Sequence, residues 1–144
     1  MDTNRIERRV GVRASADRLW ELISDFGSWS RWNPYEVEVS GAIAFGGKIN
    51  LTERLPDMPE RAVQAAVGEW QPRAQLVLHE KRGLWFNSIR YFEIEELEPN
   101  ACIVANGAIF SGLRGELFHD KHRRSIRRAY EEIGENLRKV AEEG

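Results

Sequence analysis

The end of the chain constrains the fold most. Phe118, His122, Ile126, Ala129, Tyr130, Ile133, Leu137 and Val140 recur at steps of three and four residues. That spacing sets them on one side of an α-helix of some seven turns, on the order of 40 Å long. A stripe of that length has to be covered, and the residues before it offer a sheet. From Tyr35 onward the sequence predicts six strands, at 35–42, 47–55, 61–70, 73–82, 86–98 and 101–112. Turn chemistry separates them at Gly46-Gly47, Pro56 to Pro59, Gln71-Pro72, Gly83 and Pro99-Asn100. The connections are short, which favours antiparallel neighbours. Alternation of apolar and polar residues is plain in QLVLHE and RYFEIEEL.

The start of the chain adds one more strand. Residues 4–13 alternate, with Ile6, Val10 and Val12 on one side and Glu7 and Arg9 on the other. Ser15 is placed to cap a helix carrying Leu19, Trp20 and Ile23, and Gly27 to end it. Residues 28–32 add a second short helical turn before Pro34. The expectation is an α+β fold. It has an antiparallel sheet of about seven strands covered by a long C-terminal helix, with two short helices after strand one. No linker or repeat divides the chain, so residues 1–144 form one domain.

Composition excludes several functions. A net charge of −2 does not predict nucleic-acid binding from the whole chain. The single cysteine, Cys102, allows no intrachain disulfide, and it sits in an apolar strand where packing suits it better than nucleophilic chemistry. The first residues lack the apolar core of a secretory signal, and no apolar run is long enough to span a bilayer. The expectation is a cytoplasmic protein without integral membrane association. FGGK lacks the spacing of a nucleotide fingerprint, and His119 and His122 have no third ligand, so neither a cofactor nor a metal is expected.

Several segments together carry a resemblance. They are ASADRLWELISDFGSWSRWNP, GAIAFGGKINL, YFEIEELEP and AIFSGLRGEL. The chain resembles the START-like, pollen-allergen-like helix-grip superfamily, and within it the polyketide cyclase/dehydratase-like and lipid-transport proteins. The resemblance implies that the antiparallel sheet is curved and wrapped on the last helix, with a cavity between them for apolar ligands. It does not decide among carriers, cyclases, hydrolases and interaction modules.

Candidate site residues follow from phase. Phe86, Phe92, Phe110, Phe118, Ile126 and Ile133 are expected to supply apolar walls. Arg90 shares a strand face with Phe92 and Ile94, so it points inward and needs a carboxylate or an anionic ligand; Glu80 is the candidate partner. Otherwise it snorkels to water. His122 is the one imidazole expected inside, either as a bonded core histidine or as an acid–base group. Asn106, in phase with Val104 and Phe110, offers a polar contact or bonds to its own backbone. Trp32 lines the cavity mouth, or anchors the short helices together with Trp29. The run HDKHRRSIRR, residues 119–128, reads as a solvated face paired with Glu131, Glu132 and Glu135.

Three functions remain open. The first is binding of a small apolar or amphipathic molecule. The second is an enzyme that folds a polyketide-like substrate, with His122 or Arg90 stabilising an enolate. The third is a co-chaperone-like interaction module with a filled cavity and an exposed apolar patch, sought first in LPDMPER at 55–61. An exposed strand edge would also permit a homodimer.

Overall fold

The computed structural model describes residues 4–143. Seven strands form one antiparallel sheet: β1 (Arg5–Val12), β2 (Glu36–Gly41), β3 (Lys48–Glu53), β4 (Arg61–Gln71), β5 (Gln75–Gly83), β6 (Phe86–Glu98) and β7 (Ala101–Ser111). Their order is β1-β7-β6-β5-β4-β3-β2. The first strand therefore closes one edge beside the last, and every other neighbour follows in sequence. Helix α1 (Ala16–Ser24) and a 3-10 helix (Phe26–Arg31) carry the chain from one edge to the other. Helix α2 (Leu113–Glu143) lies in the concave face of the curled sheet. This is the expected helix-grip architecture.

The sheet curls where strands slip. Register shifts occur at Val37/Ser40, Val67/Trp70, Lys81/Gly83 and Glu96/Glu98. An extra residue at each bends the strand and adds twist. Alternation then divides each strand. On β7, Cys102, Val104, Asn106, Ala108 and Phe110 are all buried. On α2, Ile126, Ala129, Tyr130, Ile133 and Leu137 are buried against them, so the stripe is satisfied by the sheet.

Ser15 caps α1 by accepting from the Arg18 N–H at 3.0 Å. The helix ends at Ser24, before Gly27 is reached. Asp25 is the joint: its N–H reaches the Glu21 carbonyl, and its carboxylate accepts from Gly27 N–H at 3.1 Å to start the 3-10 turn. Trp29, Trp32 and Phe92 meet there with ring centroids 5.1 to 5.7 Å apart, filling one end of the half-barrel. The Trp29 indole donates to Ile23 O at 2.9 Å, whereas the buried Trp32 Nε1 has no hydrogen-bond partner among the described residues.

The basic run of α2 differs from expectation. The acids that follow it are engaged elsewhere: Glu131 with Arg8, Glu132 with the Tyr35 hydroxyl, and Glu135 with Arg138. Two of these partners, Arg8 and Tyr35, lie off the helix, and the third, Arg138, stands one turn further along it, beyond the basic run. Lys121, Arg124 and Arg128 make no ion pair with the described residues.

Candidate functional site

Between α2 and the sheet, two polar clusters flank a narrow cavity. The first is built around Arg90. Inward phase on β6 carries its side chain into the interior, where it is 11% exposed. Nε and Nη2 donate to the Glu36 carboxylate at 3.0 and 2.9 Å. Nη1 donates to Gly107 O and Tyr91 O, and Nη2 also to Asn106 Oδ1. All five N–H groups of the guanidinium are therefore used inside the protein. Its faces pack on Phe92 and Tyr130, 4.5 and 4.1 Å from the ring centroids. Burial would lower the Arg90 pKa; Glu36 more than offsets it and holds the group charged.

The partner is Glu36 rather than Glu80. Glu36 is positioned by Asn33, whose carbonyl oxygen accepts from the Tyr35 and Glu36 N–H groups and whose amide donates to the Glu36 carboxylate at 3.0 Å. The Trp-Asn-Pro segment thus supports a buried ion pair. Glu80 bonds Arg61 on β4 instead, with a second contact at 3.0 Å. Asn106 joins the first cluster to α2 by donating to Tyr130 O at 3.1 Å.

The second cluster lies toward the surface. Arg61 serves Glu80 and also Glu53, at 3.3 Å. Burial raises the Glu53 pKa, with Arg61 opposing it. Arg82 is different. Its guanidinium sits over both Phe86 and Phe118, at 4.4 and 4.5 Å, and makes no hydrogen bond or ion pair with the described residues. Burial, then the nearby Arg61, lowers its pKa. The Tyr130 hydroxyl likewise has no hydrogen-bond partner among the described residues. Its pKa is pushed up by burial, so it is a neutral donor.

The cavity is walled by Leu51, Leu55, Val63, Ala65, Leu78, Ala108, Phe110 and Phe118, with Glu36, Glu53, Glu80, Arg82, Ser88, Arg90 and Tyr130 as its polar groups. Its free volume is about 30 Å³. That is room for one or two waters, so a larger guest has to displace side chains. Phe118 and Arg82 are half-buried and form the edge that such a guest would meet first.

Of the expected site residues, Arg90, Phe110 and Phe118 line this cavity. Phe86 stands beside it, its ring 5.2 Å from Phe118. Trp32 and Phe92 close the far end, and Ile126 and Ile133 are fully buried in the core. His122 is only half-buried, its ring tilted against Phe118 with centroids 4.6 Å apart, and its pKa is lowered by burial and by Lys121 and Arg82. The buried imidazole is His119, whose Nδ1 lies 3.0 Å from Asp120. Leu55 is buried and Met58 is partly buried against the core, so the 55–61 loop is no exposed apolar tip. Sequence reasoning missed Glu36, Glu53, Tyr130 and Arg82 as site residues, although strict alternation from Leu76 through Leu78 and Glu80 points Arg82 inward. Among the described residues, no three His, Cys, Asp or Glu side chains are grouped to hold a metal. No helix among the described residues is long and apolar enough to cross a membrane.

A family model, polyketide cyclase / dehydrase and lipid transport, matches residues 3–142. The chain belongs to this family. No curated protein matches the sequence. Among solved structures, a START superfamily protein from Mycobacterium smegmatis superposes with a TM-score of 0.75 at 18% identity, over 96% of this chain and 97% of that one. The di-domain ARO/CYC BexL, from the BE-7585A biosynthetic pathway, gives 0.72 at 16% identity over 92% of this chain. This chain spans 46% of BexL's length. TTHA0849 from Thermus thermophilus gives 0.73 at 10% identity, over 95% of this chain and 96% of that one. At these identities the likeness is one of fold.

Proposed function

We propose that this member of the family binds a small amphipathic molecule in the cavity between α2 and the sheet. Its apolar part lies along Leu51, Leu55, Val63, Leu78, Phe110 and Phe118. Its hydrogen-bond-accepting end meets Arg82 and the Tyr130 hydroxyl. One observation carries this reading. Glu36, Glu53, Glu80 and Arg90 are paired within the protein, while Arg82 and the Tyr130 hydroxyl line the cavity with no hydrogen-bond partner among the described residues. Arg90 holds the wall in place, and its saturated donors leave nothing for a ligand.

Titration with an amphipathic fluorophore such as anilinonaphthalene sulfonate tests the reading. Saturable binding of one probe per protein is expected. Arg82→Met should weaken it about tenfold, the worth of one charge-assisted hydrogen bond. Ala65→Leu should abolish it by filling the cavity. Binding indifferent to both substitutions would refute the proposal.

A second reading, a cyclase or dehydratase, draws support from Glu53. Its carboxyl lies in the same cavity with a raised pKa, suited to proton transfer. Arg82 and Tyr130 would then stabilise a developing enolate oxygen. On that reading Glu53→Gln keeps affinity for a polyketide-like substrate and loses turnover.

A further inference from the structure

Among the described residues, four of the seven large apolar side chains left exposed occupy one end of the molecule. Leu84 and Trp85 are 74% and 62% exposed at the β5–β6 hairpin tip, and Leu113 and Leu117 are 60% and 61% exposed at the start of α2. The two segments are joined: the Arg114 N–H donates to Trp85 O at 3.1 Å. Trp85 is held out with φ +63°, a conformation unusual for a bulky residue.

The charge behind this tip is unpaired. Residues 113–128 hold six Lys and Arg side chains (Arg114, Lys121, Arg123, Arg124, Arg127, Arg128) against Glu116 and Asp120. None of the six makes an ion pair or hydrogen bond with the described residues through its side chain. On the outer face, Leu113, Leu117, Lys121, Arg124 and Arg128 follow at steps of four, four, three and four, and all are exposed. Lys121 and Arg124 therefore lie about 6 and 10 Å behind Leu117 along the axis.

We propose that this end of the molecule docks on a lipid bilayer carrying anionic headgroups. The leucines and Trp85 enter the headgroup–acyl boundary, which lies about 5–10 Å deep, and Lys121 and Arg124 meet the phosphates. The tip is a projecting hairpin and helix end rather than a groove, so it fits a soft apolar layer. A two-fold pairing of copies through it would set unpaired cations against their equals. Nucleic acid would meet the cations but gives the leucines nothing. Phe86, Phe118 and Arg82 lie directly behind the tip, so docking sets the cavity's half-buried edge at the membrane. The inference stands on exposed residues alone and does not depend on the cavity being used.

Vesicle co-sedimentation tests it, comparing pure phosphatidylcholine with an equal mixture of phosphatidylcholine and phosphatidylglycerol. Binding to the anionic vesicles only is expected, with loss in about 1 M salt, where charges are screened beyond about 3 Å. Lys121→Glu with Arg124→Glu should cut the partition about tenfold or more. Trp85→Asn, which suits the positive φ, with Leu117→Ser should do the same while the far-UV spectrum and melting temperature stay unchanged. A blue shift of tryptophan emission on vesicle addition should disappear with Trp85→Asn. No binding to either vesicle, equal binding to both, or binding unaffected by the tip substitutions overturns the proposal. So does a concentration-dependent dimer that Leu117→Ser dissolves.

Discussion

Two arginines on neighbouring strands meet opposite fates. Arg90 spends all five donors on Glu36, Asn106 and two backbone carbonyls; Arg82 spends none on the described residues. Removing Arg90 strands the Glu36 carboxylate, which is 4% exposed, without its counter-charge. Arg90→Met should therefore cost about 3–5 kcal/mol in denaturant unfolding. Arg82→Met removes no hydrogen bond to the described residues, only the contacts with the Phe86 and Phe118 rings, and should lower the melting temperature far less than Arg90→Met, which makes it the cleaner probe of binding. Glu53 adds a pH signature. Its folded pKa is raised above the ordinary carboxylate value by burial. The folded state thus binds more protons than the unfolded one between the two values, and stability falls as pH rises through that window. Glu53→Gln should flatten that part of the stability–pH curve and raise stability at pH 7. A curve unchanged by the substitution would show that Glu53 titrates normally. Phase alone places Arg90 inward, because alternation is local. It points to Glu80 as the partner, because nothing local reveals that Asn33 turns Glu36 across the sheet.

At the scale of elements, periodicity carries most of the fold. The strands and α2 begin and end within a few residues of where alternation and turn chemistry set them. The bulges leave no mark in the sequence, since a register slip depends on the partner strand. The hairpin–helix joint is equally hidden. Gly112 has φ +84°, and a Cβ there would lie 2.1 Å from Trp85 O. Gly112→Ala would force the β5–β6 tip away from the first turn of α2 and break the Arg114–Trp85 bond. Melting should drop, and amide exchange should rise first in residues 113–117. If Gly112→Ala melts like the parent, the joint is not what holds the helix start.

For the whole molecule, the curled sheet and α2 leave a cavity of only about 30 Å³, lined at its half-buried edge by Phe118 and Arg82. A sheet covered by one long helix is legible from the stripe and the strand pattern, and the helix-grip architecture from the resemblance carried by segments such as ASADRLWELISDFGSWSRWNP. The size of the cavity is not, because it depends on how Tyr130, Phe110 and Phe118 pack together. Native mass spectrometry of the freshly purified protein, followed by denaturation to release and weigh what it holds, addresses ligand binding most directly. The expected result is a defined mass of an amphipathic molecule, one per chain, that is lost on unfolding and diminished in Arg82→Met. A protein that carries no such mass, and gains none when offered amphipathic acids and alcohols, would contradict the proposal.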